Sequence, residues 1–284
     1  MPFELQTLEM TAEQFRLLRD LIHEHCGIYY RDEFKFLMER RLSPRLQSHG
    51  LLDFGAYYRF LRYDVGRRAE LEAAAETLTT NETYFYREPR QLRAFSEEIL
   101  PILASEKARE RTLRVWSAGC SSGEEAYTIA ILIESSRLFE GWDVRVFGSD
   151  IARRVLAVAQ GGAYGEHAFR SAEAQTVKRW FQPVDGKWLV DDGIRRLVHF
   201  GHLNLLDDAE VDLVGPADVV FCRNVMIYFD LAARRSVLRA LHRRLKPGGF
   251  LLLGHSECLL HVTADFELVH LRNDLVYRKP SRKA

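Results

Sequence analysis

The middle of the chain reads Leu113-Arg114-Val115-Trp116-Ser117-Ala118-Gly119-Cys120-Ser121-Ser122-Gly123-Glu124-Glu125-Ala126-Tyr127. It begins as a short run of strand-forming residues, which breaks at Gly119, and a tight turn of small residues follows. Apolar residues then recur at helical spacing, at Ala126, Ile129, Ala130 and Ile133. A strand, a glycine turn and a helix in this order are typical of α/β proteins that receive a nucleotide-like ligand. Glycine lets the backbone approach the ligand, and the helix start presents unpaired N–H groups.

The residues around the turn restrict the kind of ligand. The glycine spacing is Gly119-x-x-x-Gly123, whereas a dinucleotide site normally shows G-x-G-x-x-G. Glu124 and Glu125 follow at once and would repel a phosphate at the helix start. A ligand without phosphates and with positive charge fits better, and S-adenosylmethionine, with its sulfonium and amino groups, is such a ligand. From this motif alone, a strand–turn–helix crossover without any ligand is an equal alternative.

The composition is that of an ordinary globular protein, with 284 residues, 47% hydrophobic and 28% charged. This length suits one large domain, or a standard domain with a smaller one. The 40 basic and 40 acidic residues cancel, which gives no global electrostatic case for a nucleic-acid partner. The N-terminus does not resemble a signal peptide, and no apolar run approaches the roughly 20 residues that span a bilayer. We therefore expect a cytoplasmic protein without membrane insertion.

The cysteines and histidines do not form a metal-binding pattern. The four cysteines are scattered without a C-x-x-C pair, at Cys26, Cys120, Cys222 and Cys258. The pairs His23/His25 and His199/His202 lack helical spacing and nearby cysteine or carboxylate partners. We expect free thiols and no metal site.

The first 80 residues predict a small all-α domain. Thr11-Ala12-Glu13-Gln14 is a capping box at the start of a helix that Gly27 ends. A second helix is expected from about Asp32 to Ser48, and two shorter helices follow it. We place the end of this domain near Thr80, so that the domain comprises residues 1–80.

The second of these helices carries four basic side chains, Lys35, Arg40, Arg41 and Arg45. One interpretation is a solvated face, since basic and acidic residues commonly alternate on exposed helices. The other is a docking surface for an acidic partner. Charge alone favours the solvated face.

Residues 81–90 form a linker that is rich in aromatic and hydrogen-bonding side chains. Such a linker is either packed between domains or a lid over a ligand. Beyond it, Asp143–Asp150 predicts a second strand that ends in an acid. An acid there is placed to accept both hydroxyls of an adenosine ribose. The alternative for Asp150 is an N-cap of a helix Ile151–Gln160, and the two roles are compatible.

Residues 180–201 interrupt the alternation of strands and helices. Two Asp-Gly pairs, Asp185-Gly186 and Asp192-Gly193, separate three strand-like runs, and each pair favours a hairpin turn. The sequence therefore predicts a three-stranded antiparallel meander inserted into the α/β domain. Its exposed edge would be covered, charged or used to bind an extended peptide.

The last third of the chain predicts further strands of a parallel sheet. Ala217–Cys222 is an apolar run of the kind found in buried parallel strands, and Arg223, Asn224 and Tyr228 follow its carboxyl end. A helix and the strand 250–253 come next, and the chain closes with a hairpin. A parallel sheet that a hairpin completes is typical of a Rossmann-like class I methyltransferase.

Eight ordered blocks resemble the family of CheR-type chemotaxis receptor methyltransferases along essentially the whole chain. The blocks are Asn81-x-Thr83-x-Phe85-x-Arg87, Arg114–Ala118, Ser122-Gly123-Glu124-Glu125-x-Tyr127, Ser149–Ile151, Asn204–Leu206, Phe221–Phe229, Leu245-Lys246-Pro247-x-Gly249 and Gly254-His255-Ser256-Glu257. The run around Asn224 is the most specific of them.

The resemblance implies transfer of a methyl group from S-adenosylmethionine to glutamate side chains of chemoreceptors, which leaves glutamate methyl esters and S-adenosylhomocysteine. It implies that residues 81–90 contribute to the cofactor site and that residues 91–284 form the methyltransferase domain with its inserted β-subdomain. The cofactor residues that it implies are Asn81, Thr83, Arg87, Gly119, Glu124, Asp150, Asn204, Leu205, Arg223 and Asn224. Tyr228 matches the family tyrosine near the methyl group, and Arg87 or Arg223 would orient the substrate carboxylate.

The family view also changes the interpretation of the basic helix. Because receptor methylation regions are acidic helices, Lys35, Arg40, Arg41 and Arg45 are expected to dock the receptor. In some relatives the β-subdomain holds a peptide from the receptor C-terminus, and the same is possible here. Two other functions are open: a methyltransferase with another substrate, and a regulatory module that binds S-adenosylmethionine without catalysis. Against an enzyme that methylates amino groups, the sequence lacks the Asn/Asp-Pro-Pro-aromatic signature of such enzymes, because Arg223–Met226 occupies that position.

Overall fold

The structure, a computed structural model, describes residues 8–281. They form two compact units. The first comprises the chain up to Thr80 together with Tyr228–Ala233, and the second comprises Asn81–Ile227 and the chain from Arg234 onward. No helix within residues 8–281 is long and apolar enough to cross a membrane.

The first unit is helical, as the sequence predicts. Its helices are α1 (Ala12–Cys26), α2 (Lys35–Ser48, after a 3-10 turn over Asp32–Phe34), α3 (Phe54–Tyr63) and α4 (Arg67–Leu78). The predicted capping box is present, since Gln14 N donates to Thr11 Oγ1 over 3.2 Å and Thr11 N donates to Gln14 Oε1 over 2.9 Å. Gly27 ends α1 in the left-handed conformation, at φ 75°. The core of this unit includes Phe15, Leu18, Leu42, Phe54 and Tyr57.

The second unit alternates strands and helices. Its elements are α5 (Pro89–Ala94), which a π-helical turn over Phe95–Ile99 joins to α6 (Leu100–Glu106), β1 (Thr112–Ala118), α7 (Glu124–Ser136), β2 (Asp143–Asp150), α8 (Arg153–Gly161), β3 (Ala163–Tyr164), α9 (Ala172–Thr176), β4 (Phe181–Val184), β5 (Lys187–Val190), α10 (Asp192–Arg195), β6 (Val198–His202), α11 (Asp208–Asp212), β7 (Ala217–Cys222), α12 (Leu231–Arg244, which begins in the first unit), β8 (Leu245–Leu253), β9 (Glu267–His270) and β10 (Leu275–Arg278). Short 3-10 turns cover Glu166–Phe169, Val177–Trp180 and Met226–Tyr228.

Seven strands form the main sheet, in the order β6-β2-β1-β7-β8-β10-β9. The first five run parallel, and β10 joins β8 and β9 antiparallel. Every residue of β7 is buried, as expected for a central strand with both faces covered. The predicted α/β class and the closing hairpin are confirmed, and the carboxyl ends of β1, β2 and β7 meet at one edge of the sheet.

A separate three-stranded antiparallel sheet is present, but the predicted third strand is wrong. The order of this sheet is β3-β5-β4, and β4 and β5 meet at Asp185 and Gly186, both at positive φ (47° and 72°). Asp192-Gly193 instead begins α10, and β6 pairs parallel with β2 in the main sheet. The meander over 180–201 is therefore only a hairpin, and β3, some 20 residues earlier, completes it. Pairing between strands that are distant in sequence leaves no local turn signal to read.

Candidate active site

The turn after β1 is fixed by close packing at Gly119. Gly119 has φ +84°, and a Cβ there would lie 2.3 Å from Cγ2 of Val225, which follows β7. Its N–H and that of Cys120 both donate to the carbonyl of Ser149, over 2.8 and 2.9 Å. Backbone conformation and space thus both require glycine at this point.

Asp150 lies at the carboxyl end of β2, against the same turn. Its Oδ2 accepts from Ser121 N over 2.8 Å, and its Oδ1 accepts from Ala152 N over 2.9 Å. Helix α8 begins at Arg153 with Ala152 in the capping position, so the predicted N-cap role of Asp150, with a helix from Ile151, is wrong. The carboxylate is held instead by two backbone donors on either side of the loop.

Two glutamates in the first turn of α7 lie in a desolvated environment. Glu124 accepts a hydrogen bond from Ser122 Oγ over 2.7 Å, and Glu125 accepts one from Ser117 Oγ over 2.7 Å. Burial raises the pKa of both carboxyls above the usual glutamate range, although these hydroxyls act in the opposite direction. Both groups would gain from a positive charge beside them.

Arg223, directly after β7, is shared between two carboxylates. Its side chain is only 2% exposed, and its Nη1 lies 3.3 Å from Oε2 of Glu125 while its Nη2 lies 3.2 Å from Oε2 of Glu88. It also donates to the carbonyl of Arg87. Desolvation acts to raise the pKa of Glu88, but Arg223 and Asn224 outweigh it and the net shift is downward. Arg223 is thus the internal counter-ion of this site.

Asn224 adopts a left-handed backbone conformation beside Arg223. Its φ is +59°, and its Nδ2 donates to Oε1 of Glu88 over 3.2 Å. Its backbone N–H donates to Oε2 of Glu257 over 2.8 Å. A non-glycine residue at positive φ is uncommon, asparagine adopts this conformation more readily than most, and such residues concentrate at functional sites.

The linker over 81–90 is anchored by Phe85. This ring is fully buried and packs against Tyr164, Phe169 and Phe181 with centroid distances of 4.8 to 5.0 Å. The carbonyl of Asn81 accepts from Ser121 Oγ over 3.3 Å, which brings the start of the linker to the glycine turn.

The other predicted site residues have the following positions. Asn204 and Leu205 are buried, and Leu203 N donates to the carbonyl of Asp150 over 3.0 Å, which brings this pair to the end of β2. Thr83 and Arg87 are half-buried in the linker. Tyr228 belongs to the first unit, where its carbonyl accepts from Tyr29 N over 2.9 Å and its side chain is exposed. Every predicted cofactor residue therefore belongs to the second unit.

Comparison with known proteins identifies the family. Residues 81–275 match the model described as CheR methyltransferase, SAM binding domain, and residues 13–79 match CheR methyltransferase, all-alpha domain. The chain belongs to the CheR methyltransferase family.

Curated relatives match over almost their whole length. Chemotaxis protein methyltransferase 2 of Vibrio cholerae is 33% identical over 280 residues, which are 98% of this chain and 96% of the relative. The chemotaxis protein methyltransferase of Salmonella typhimurium is 36% identical over 285 residues, with 98% and 94% covered. That of Escherichia coli is 36% identical over 278 residues, with 96% and 92% covered.

This CheR family member is an S-adenosylmethionine-dependent methyltransferase, and the expected enzyme class and cofactor are confirmed. The donor set fits that cofactor. Glu88, Glu124 and Glu125 supply three carboxylates, against which the site holds one buried guanidinium, Arg223. Such an excess of negative charge in desolvated surroundings suits a sulfonium and an ammonium group and disfavours phosphates. Within residues 8–281, no cluster of histidine, cysteine or acidic side chains is arranged to hold a metal ion.

Sequence reasoning assigned no role to Glu88 and Glu257, and it used Glu125 only as a charge that repels phosphate. Glu88 follows Arg87 in the linker, and Glu125 follows Glu124 in the helix. Glu257 belongs to one of the blocks that carry the family resemblance. The sequence shows that these glutamates lie beside residues with assigned roles. It does not show their contacts, because their partners Arg223 and Asn224 lie far away in the chain.

The four basic residues of α2 differ in their surroundings within the first unit. Arg45 forms an ion pair with Glu70, whose carboxylate also accepts from Tyr57 Oη over 2.6 Å. Arg41 donates to the carbonyls of Leu78 and Thr79. Lys35 pairs with Glu39 over 3.2 Å. Arg40 is exposed, and its guanidinium lies 5.9 Å from the ring centroid of Phe36.

Proposed function

We propose that this methyltransferase converts glutamate side chains of chemoreceptors into methyl esters. The observation that carries the proposal is the match of both units to one family, together with near full-length likeness to chemotaxis protein methyltransferases. The desolvated carboxylates of the second unit, Glu88, Glu124 and Glu125, support the cofactor half of the reaction.

We assign the cofactor to one connected set of residues in the second unit. Asp150 would accept the ribose hydroxyls, and Glu124, with its raised pKa, would face a positive group of the cofactor. The other residues that would hold the cofactor are Asn81, Thr83, Arg87, Gly119, Asn204, Leu205, Arg223 and Asn224. The cofactor supplies a methyl group on a positively charged sulfur.

The substrate carboxylate needs no general base. A glutamate side chain titrates well below neutral pH and is already ionised there. It is a weak nucleophile with a tightly held hydration shell, so the protein must strip that shell and orient one oxygen. Positioning of this kind can recover roughly 7–11 kcal/mol of a barrier. The dry surroundings of Glu124 and Glu125 support a site that works by exclusion of water.

Of the two candidate arginines, we assign Arg87 to an external carboxylate. Arg223 is buried and shared between Glu88 and Glu125, which leaves it committed to the protein. Arg87 is half-buried, and within residues 8–281 its Nη1 has only a backbone carbonyl, that of Glu82, as a hydrogen-bond partner. The resemblance gives Tyr228 the complementary role of a hydrogen-bond donor to the attacking oxygen.

Receptor docking is assigned to the basic face of α2, with Arg40 as its most available residue. Arg40 is exposed, whereas Arg41, Arg45 and Lys35 have partners within the first unit. A mixed basic and aromatic surface formed by Arg40 and Phe36 suits an acidic amphipathic helix.

The edge strand β4 is a candidate site for an extended receptor tail. It pairs with β5 on one side only, and Gln182, Pro183 and Val184 are exposed. A tail peptide would bind by adding a strand to this edge. Titration calorimetry with receptor C-terminal peptides tests this, with scrambled peptides as the control, and equal heats for both would contradict it.

Incubation with methyl-labelled S-adenosylmethionine and receptor-rich membranes tests the proposed reaction. We expect label on receptor glutamates that is released by mild base, and none in membranes that lack chemoreceptors. Label on a small molecule or nucleic acid would show that the substrate is not a receptor. Tight cofactor binding without any label would indicate a regulatory module.

A further inference from the structure

The turn after β8 places one carboxylate at the end of two neighbouring strands. Glu257 accepts hydrogen bonds from four backbone N–H groups, those of Gly254 (2.7 Å), Asn224 (2.8 Å), Val225 (3.0 Å) and Met226 (2.7 Å). The turn is closed by Glu257 N, which donates to the carbonyl of Gly254 over 2.9 Å. One side chain thus joins the segment after β7 to the segment after β8.

Three of these donors are consecutive in sequence. A left-handed residue followed by residues with converging N–H groups forms a concave anion site, and Asn224 at φ +59° begins such a run. In this protein the anion is the protein's own Glu257. Charge-assisted hydrogen bonds are stronger than neutral ones, and here they hold the backbone of residues 224–226 in the turn that begins at the left-handed Asn224.

The same segment carries residues of the proposed cofactor site. Asn224 reaches Glu88 through its Nδ2, and Val225 packs so closely on Gly119 that only glycine fits there. At Gly254, an added Cβ would lie 2.9 Å from Asn224 N. A shift of the 224–226 backbone would therefore displace Asn224 and the glycine turn together.

We propose that Glu257 is a positioning residue for S-adenosylmethionine binding, which acts by holding the 224–226 backbone in place. It needs no contact with the cofactor to do so. The proposal rests on the assignment of Arg223 and Asn224 to the cofactor site.

Calorimetric titration with S-adenosylhomocysteine tests the proposal without catalysis. We expect Glu257→Gln and Glu257→Ala to weaken binding at least about tenfold, a loss of about 1.4 kcal/mol. The matched control is Glu267→Gln, which removes the same charge from an exposed position on β9. Affinity within about twofold of the unchanged protein in both Glu257 variants would overturn the proposal.

Chemical rescue separates positioning from packing. Formate can occupy the anion site that Glu257→Ala leaves open, so we expect formate, and not chloride at equal ionic strength, to restore affinity. Equal effects of the two salts would overturn the proposal. If Glu257→Ala does not fold, the near-isosteric Glu257→Gln keeps the binding test valid, with its melting temperature as the check.

Asn224→Ala distinguishes this proposal from the site assignment. Weakened binding in Asn224→Ala with normal binding in Glu257→Gln would overturn the role of Glu257 alone. Normal binding in Asn224→Ala would overturn the assignment of Asn224, and the positioning role with it.

Discussion

Nη1 of Arg223 lies 3.3 Å from Oε2 of Glu125, with the arginine side chain 2% and the glutamate side chain 15% exposed. One residue follows a central strand and the other begins a helix more than 90 positions earlier. On the other side of the guanidinium, Glu88 approaches within 3.2 Å. Two carboxylates in desolvated surroundings thus share one buried cation, so a change at Arg223 affects both of them.

Replacement of Arg223 by methionine should destabilise the second unit by about 3–5 kcal/mol, because the carboxylates of Glu88 and Glu125, whose side chains are only 14% and 15% exposed, lose their counter-ion. Urea unfolding at neutral pH measures this, and Arg145→Met, at an arginine 63% exposed, is the control. The loss of unfolding free energy in the Arg223 variant should become smaller in acid, where the carboxyls are protonated. Equal stability of the two variants would contradict the buried ion pair.

Cofactor binding should release protons in the pH range above the ordinary glutamate pKa of 4.5, where Glu124 and Glu125 titrate. Burial raises the pKa of Glu124 and Glu125, so in the free protein their contribution to stability is full below 4.5 and is lost as the pH rises through the raised values. A sulfonium beside them favours the ionised form and drives the proton off. Calorimetry in two buffers of different ionisation enthalpy measures the number of protons released on binding. This number should be greater for S-adenosylmethionine than for S-adenosylhomocysteine, whose sulfur carries no charge. Equal release would count against this electrostatic fit.

Gly119→Ala should abolish cofactor binding, while Gly186→Ala should leave it intact. Both glycines have positive φ (+84° and +72°), so both variants pay a similar backbone cost of about 1–2 kcal/mol. Only at Gly119 does the new Cβ also collide with Val225, because nothing lies within 4 Å of a Cβ at Gly186. Thermal unfolding and S-adenosylhomocysteine titration measure the two effects. Similar losses in both variants would mean that strain alone acts.

Arg40→Glu should raise the KM for receptor several-fold and leave cofactor affinity unchanged. Its control is Arg16→Glu, the same charge reversal at an exposed position of α1. An unchanged KM in Arg40→Glu would refute docking through this residue.

Arg45→Glu should instead unfold the first unit, because it sets a second carboxylate against Glu70. Desolvation acts to raise the pKa of Glu70, but Arg45, Tyr57 and His49 outweigh it and the net shift is downward. The stability from Glu70 is therefore present above pH 4.5 and is lost as the pH falls through the lowered value. Circular dichroism during denaturation measures both effects, and a fully folded Arg45→Glu variant would contradict the structural role.

Local signals in the sequence predicted much of the fold. The capping box at Thr11, the glycine turn after β1 and the closing hairpin each depend on residues within a few positions of one another. Their hydrogen bonds are specified by those neighbours, so they can be read without the rest of the chain. The second Asp-Gly pair shows the limit of such reading, because Asp192-Gly193 begins a helix and the following strand pairs with β2 instead.

By itself, the sequence determined the α/β class, the helical first unit, the family and the cofactor. The first two follow from periodicity, and the family and its cofactor follow from the resemblance that the eight sequence blocks carry. Only the tertiary structure decided which arginine is buried between carboxylates. It also decided that Arg45 forms an ion pair with Glu70 and that Glu257 accepts hydrogen bonds from the backbone after β7. The physical reason is that charge pairing and desolvation act through space. The partners of Arg223 lie 98 and 135 positions away in the chain (223 − 125 and 223 − 88).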